Sequence, residues 1–235
     1  MNLARHARVA RRVGTVTALA ILPLGLVAGY TGVANAAPSA AAAVPPAAPA
    51  AAAVPVSLGC EARPPIGGPT QFGLNAAIEP DAPATVAAGS TFVARLAPQP
   101  MTVPSSVDGR RVNELHDLRL KVAVPRGALL RSARISGGSN LGTGTPQVSV
   151  SGNVATVTVP GPLAGGSTFQ LPTLHLVLTA SGLPGAKIIT RLAGTSFTDP
   201  SLAFIANVKV SIISINVPAS CVANPSPTFT STLIV

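Results

Sequence analysis

The sequence predicts an all-β domain, an antiparallel β-sandwich of the immunoglobulin or adhesin kind, and three observations lead there. Apolar and polar residues alternate with a period of two in run after run beyond Gly59, as half-buried strands do. Gly and Pro, 22 and 24 of 235 residues, punctuate those runs at the intervals of a sandwich or barrel. No stretch of about eleven residues keeps a clean helical period, and one short helix near 108–115 is the sole helical candidate.

In chain order, a basic opening (Arg5, Arg8, Arg11, Arg12) precedes an apolar run from Val16 to Val33 and the triplet Ala34-Asn35-Ala36. That order defines a secretory signal peptide over residues 1–36, cleaved between Ala36 and Ala37. Pro23, Gly25 and Gly29 interrupt the run, so no stable membrane span is expected after cleavage. Residues 37–58 are almost entirely Ala, Pro and Val, and their prolines prevent a continuous helix; the segment reads as disordered. Residues 59–235 follow as one β-domain, because no second linker divides them.

Inside that domain, Leu118, Leu120 and Val122 alternate with Arg119 and Lys121. Val148 and Val150 lead through Gly152-Asn153 into Ala155, Val157 and Val159, the pattern of a hairpin. Leu174, Leu176 and Leu178 form another inward row, with His175 facing away. The longest run, Leu202 to Val217, changes phase at Ile212-Ile213, which reads as a β-bulge within one strand. Phe229 to Val235 makes the last strand.

An exported chain meets an oxidising compartment, and its only two cysteines, Cys60 and Cys221, are expected to pair. They flank nearly the whole domain, so the bond would set its two ends side by side.

Composition narrows the function. Beyond Ala36, twelve Lys and Arg stand against seven Asp and Glu, a net charge of +5. Those basic residues are scattered, without the concentrated stripe or aromatic platforms that nucleic acid requires, so no nucleic-acid partner is expected. Trp is absent, and the single Tyr, Tyr30, lies in the signal. Carbohydrate surfaces use such rings to cover sugar faces, and membrane barrels wear them as girdles. Both classes are disfavoured.

Catalytic candidates are few. His116 lies in Glu114-Leu115-His116-Asp117, where Glu114 and His116 would share one face of a strand. That is half of a metal site at best, since catalytic zinc takes three protein ligands; a polar strand start at a sheet edge is the simpler reading. His175 is the one other histidine beyond the signal. Gly194-Thr195-Ser196-Phe197-Thr198-Asp199-Pro200 is distinctive, but turn chemistry explains its polar residues. Gly137 to Gly144 lacks the Lys of a phosphate loop and reads as a flexible loop. No catalytic, cofactor-binding or metal-ligating residue is assigned, and no cofactor is expected.

Several strings taken together carry a resemblance: Val159-Pro160-Gly161-Pro162, Leu171-Pro172, Gly194 to Pro200 with Phe204-Ile205-Ala206-Asn207, and Cys221 followed by Pro225-Ser226-Pro227 and Ser231-Thr232. The region from Cys60 to Val235 resembles secreted actinobacterial proteins of unknown function built as a single disulfide-tied β-domain. The resemblance implies export to the cell envelope or medium and supplies no catalytic residues. The leading expectation is therefore an exported, non-catalytic protein that binds an envelope or extracellular partner or forms part of the envelope. Two alternatives stand beside it: a carrier of an apolar, lipid-like ligand in a cavity between the sheets, and a secreted hydrolase using His116 or His175.

Overall fold

The computed structural model describes residues 52–235, all strands and connections, with no helix among them. The signal peptide, its cleavage site at Ala36-Ala37 and the Ala/Pro segment through residue 51 lie outside the described residues. The strands are, in order, β1 (Val54–Ala62), β2 (Thr70–Asp81), β3 (Thr85–Val86), β4 (Thr91–Pro98), β5 (Met101–Thr102) and β6 (Ser106–Val107). Next come β7 (Arg110–Ala123), β8 (Ala128–Ser136), β9 (Gln147–Ser151), β10 (Val154–Val159), β11 (Leu163–Ala164) and β12 (Thr168–Phe169). The last are β13 (Thr173–Ala180), β14 (Lys187–Thr190), β15 (Leu202–Val210), β16 (Ile213–Val222) and β17 (Thr230–Ile234).

The all-β, antiparallel expectation holds, but its layering differs. One twelve-stranded sheet runs β8-β13-β4-β2-β1-β16-β15-β7-β10-β9, with β11 and β6 added to β7. Its terminal strands β8 and β9 come into contact, so the sheet curls on itself in a nearly barrel-like way rather than splitting into two facing sheets. Closure of this kind leaves few free edges. One rung shows the inner face: Cys60, Cys221, Leu202, Leu120, Val157 and Val148 stand opposite one another on successive strands. The core lies inside this curl, filled by Leu96, Leu118, Leu176, Leu178, Val122 and Val157, each under 3% exposed. A second sheet, β14-β17-β3, packs where β13 ends and β4 begins, and buries Ile188 and Ile234.

Several local readings change. The segment expected to run free to Leu58 enters the sheet at Val54. Pro55 is tolerated there: its partner Ala77 turns its carbonyl away to Gln99 on the β4 side, so the missing N–H of Pro55 faces the flank where β16 has not yet joined. The expected bulge at Ile212-Ile213 is a tight turn instead: Val210 pairs with Ile213, leaving Ser211-Ile212 as a two-residue hairpin loop. No helix forms near 108–115; the stretch is a hairpin turn at Asp108-Gly109 followed by β7. The Gly152-Asn153 hairpin stands as expected. The Gly137–Gly144 loop is packed down, because Gly144 donates to the Gly161 carbonyl at 3.0 Å and a Cβ on Gly142 would meet the Pro162 oxygen at 2.4 Å.

Cys60 and Cys221 form the disulfide, directly opposite one another on β1 and β16. Both are buried.

Candidate functional site

β7 sets the geometry of the site. Its pairing with β15 slips twice, between Ala203 and Ile205 and between Asn207 and Val208, and Asp117 takes a positive φ of 54° at the first slip. Each irregularity inserts one residue, so Val112, Leu115 and Leu118, three apart, all turn inward and are buried. The inner row of β15 continues the same face with Phe204, Ala206, Val208 and Val210; β16 contributes Val217, Ile215 and Ile213 opposite them. β1 leaves the sheet at Ala62, opposite Ala219. Below that rung the inner face of the β15–β16 arm is only partly covered: Val217 is buried, while Ala206, Val208, Val210 and Ile215 are half-buried.

The result is an open apolar cleft of about 160 Å³. Its walls are Phe72 and Leu74 of β2, Val112 and Leu115 of β7, Phe204, Ala206, Val208 and Val210 of β15, and Ile215 and Val217 of β16. Pro64 and Pro104 close its sides, and the polar contributions are Thr70, Asp108 and Arg110. An engineered apolar cavity of about 150 Å³ binds benzene, whereas clefts and cavities for drug-sized ligands run to about 300–1,000 Å³. The cleft therefore suits the end of an aliphatic chain and does not suit a large polar ligand.

The predicted candidates lie elsewhere. Glu114 and His116 do share the outer face of β7, but β7 is an interior strand and not an edge. His116 Nδ1 contacts Asp117 Oδ2 at 3.2 Å. His175 points outward from β13, with Nε2 2.8 Å from Ser136 Oγ and with Arg95 and Arg134 as its cross-strand neighbours. Five strands separate the two histidines along the sheet, so they make no common site. Asp199 closes the Gly194–Pro200 turn by hydrogen bonds with Thr195 and Ser196 and pairs with Lys121 at 2.8 Å. Among the described residues no group of three or more His, Cys, Asp or Glu is placed to hold a metal ion, and no helix is long and apolar enough to cross a membrane.

Sequence reading missed the cleft residues. The available signal was the aliphatic row of β15 persisting to Val210 and resuming at Ile213, beyond what one core needs.

The fold and the cleft define an all-β domain with a curled antiparallel sheet and one cross-strand disulfide. Among solved structures it is similar to a crystal structure described as "Putative membrane anchored protein" from Corynebacterium diphtheriae, with a TM-score of 0.53 and 17% sequence identity. The match covers 78% of this chain and 38% of that one, and at this identity it speaks for the fold alone. No protein family and no curated sequence matches the chain.

Proposed function

We propose that this is a non-catalytic binding protein working outside the cytoplasm, in the cell envelope or medium, and that it takes the end of an aliphatic chain into the cleft. The observation that carries the reading is the apolar cleft whose aliphatic row on β15 and β16, Ala206, Val208, Val210 and Ile215, stays partly open to solvent above the buried Val112 and Leu115 of β7. Burial of such surface is favourable by roughly 25 cal/mol per Å², so an uncovered apolar groove is a site awaiting an occupant. The signal-peptide pattern read in the sequence of residues 1–36 and the buried disulfide support an extracytoplasmic location, and the solved neighbour's description as membrane anchored accords with it.

The test is titration of the purified chain with a polyene fatty acid whose fluorescence rises in apolar surroundings. Saturable binding is expected, and it should be lost in Ala206→Phe, which fills the cleft, and in Val208→Asp, which charges its wall. Absence of saturable binding, or binding undiminished in both variants, would refute the reading.

A further inference from the structure

We propose that the end of the domain bearing the cleft docks onto an anionic lipid surface, seating the β15–β16 turn and the β1–β2 loop among the headgroups. Three connections lie at this end and border the cleft: the loop of residues 63–69 between β1 and β2 through Pro64, the Asp108-Gly109 turn between β6 and β7 through Asp108, and the Ser211-Ile212 turn next to Val210. Each carries aliphatic side chains into solvent. Ile212 is 92% exposed and Ile66 83%, with Ile213 at 56% and Val107 at 37%. The other nearly free aliphatic, Leu183 at 81%, lies at the opposite end, in the loop after β13, where Val235 and Leu129 are also exposed.

Turn chemistry adds an independent observation. Two-residue hairpin loops favour Gly, Asn or Asp where φ is positive. The chain obeys this at Asp108-Gly109 and at Gly152-Asn153. At the third such turn it places Ser211 at a φ of +56° and follows it with an isoleucine in water. Local stability would select Gly at the first position here, as at Gly152-Asn153. A strained position and an exposed β-branched side chain at one tip point to a role beyond folding.

Charge identifies the occupant. Arg110, Arg111 and Lys209 surround the tips, all exposed, and none has an ion-pair partner among the described residues. Arg63 is held by Glu61, which leaves Asp108 as the one acid in these turns. Apolar tips within a basic collar match an anionic bilayer, whose surface draws cations while its interface accepts aliphatic groups. A second copy of the chain fits poorly, since a two-fold contact here would set the collar against itself.

The experiment places an environment-sensitive fluorophore on the full chain through Ile212→Cys or, as the control, Leu183→Cys. Each is mixed with vesicles of equal phosphatidylglycerol and phosphatidylcholine, or of phosphatidylcholine alone. A blue shift is expected at position 212 on the anionic vesicles only, reversed by 0.5 M salt, as screening of surface charges requires. No shift is expected at position 183. Each cation near such a surface is worth about fivefold in binding, so Arg110→Glu, Arg111→Glu and Lys209→Glu together should weaken it by at least about a hundredfold, with Tm unchanged. Four results overturn the proposal: no shift at 212, an equal shift at 183, equal response to neutral vesicles, or a shift that grows with protein concentration without vesicles. Fatty-acid titration in free solution reads the cleft separately, so either assignment can fail while the other stands.

Discussion

Replacing both Cys60 and Cys221 by Ala tests how the sheet is held. The two residues are 161 apart in sequence yet face each other across the β1–β16 ladder, within the register Gly59–Val222 to Ala62–Ala219. The ladder survives the change, so the main loss falls on the unfolded chain, which regains the freedom of a very long loop. The chain-entropy relation gives about 17 cal/mol/K for a loop of this length, or about 5 kcal/mol at 25 °C. Removing two sulfurs that are 1% and 0% exposed acts in the same direction through lost packing. For a domain of this size each kcal/mol shifts Tm by about 2–4 °C, so a fall of about 10–20 °C is expected by calorimetry. Urea unfolding should show a larger m-value as well, because the uncrosslinked chain exposes more surface when it opens. A Tm loss under about 3 °C with an unchanged m-value would refute the reasoning, and would mean that the unfolded chain stays looped without the bond.

Two further outcomes are expected. Gly194→Ala places a Cβ 2.5 Å from the Pro200 carbonyl carbon and 2.6 Å from the Asp199 oxygen, at a φ of +85°; these are backbone atoms, so a loss of about 1–3 kcal/mol is expected by urea titration, and an unchanged midpoint would contradict it. Ser136→Ala and His175→Gln break a 2.8 Å hydrogen bond on the outer sheet face, where its net worth is about 0.5–1.5 kcal/mol. Both variants should fold and take up fatty acid as the parent does, and the parent should turn over no ester, peptide or glycoside substrate; turnover abolished by either change would establish the hydrolase alternative.

What the sequence concealed, it concealed for local reasons. Leu118, Leu120 and Val122 were legible because β7 is regular there, with Val159, Val157 and Ala155 opposite. Below Asp117 the two slips space its inward residues three apart, as Val112, Leu115 and Leu118, which imitates one face of a helix. The Ser211-Ile212 turn was invisible because it holds no Gly, Asn, Asp or Pro, and its single Ser is a weak turn signal beside an isoleucine. The start of β1 was hidden by Pro55 and Ala-rich flanks, although Val54, Val56 and Leu58 do alternate. The layering depended on pairings across long sequence distances, such as β1 with β16 and β15 with β7, and alternation identifies a strand without naming its partner. The cysteine pair was the one long-range contact open to reading. The candidate site needed those same pairings, so its aliphatic rows were visible as residues and not as walls of one cleft.

The β15–β16 arm shows how the chain keeps such a surface from becoming a liability. Where β1 departs, the outer flank of β16 loses its partner, and an unpaired strand edge invites another chain. Pro218 stands at that point. Its carbonyl accepts from the Arg63 N–H at 2.9 Å, so its missing N–H lies on the same β1 side, where an incoming strand would need a donor, and the ladder to β15 is untouched. The outer face is then fixed by a polar row: Asn113 Nδ2 donates to Asn207 Oδ1 and Asn207 Nδ2 to Asn216 Oδ1, both at 2.8 Å. A register slip of one residue would turn these amides inward and the aliphatic row outward. The arm is thus held in a single register by polar contacts on one face, which leaves its other face apolar and free to bind.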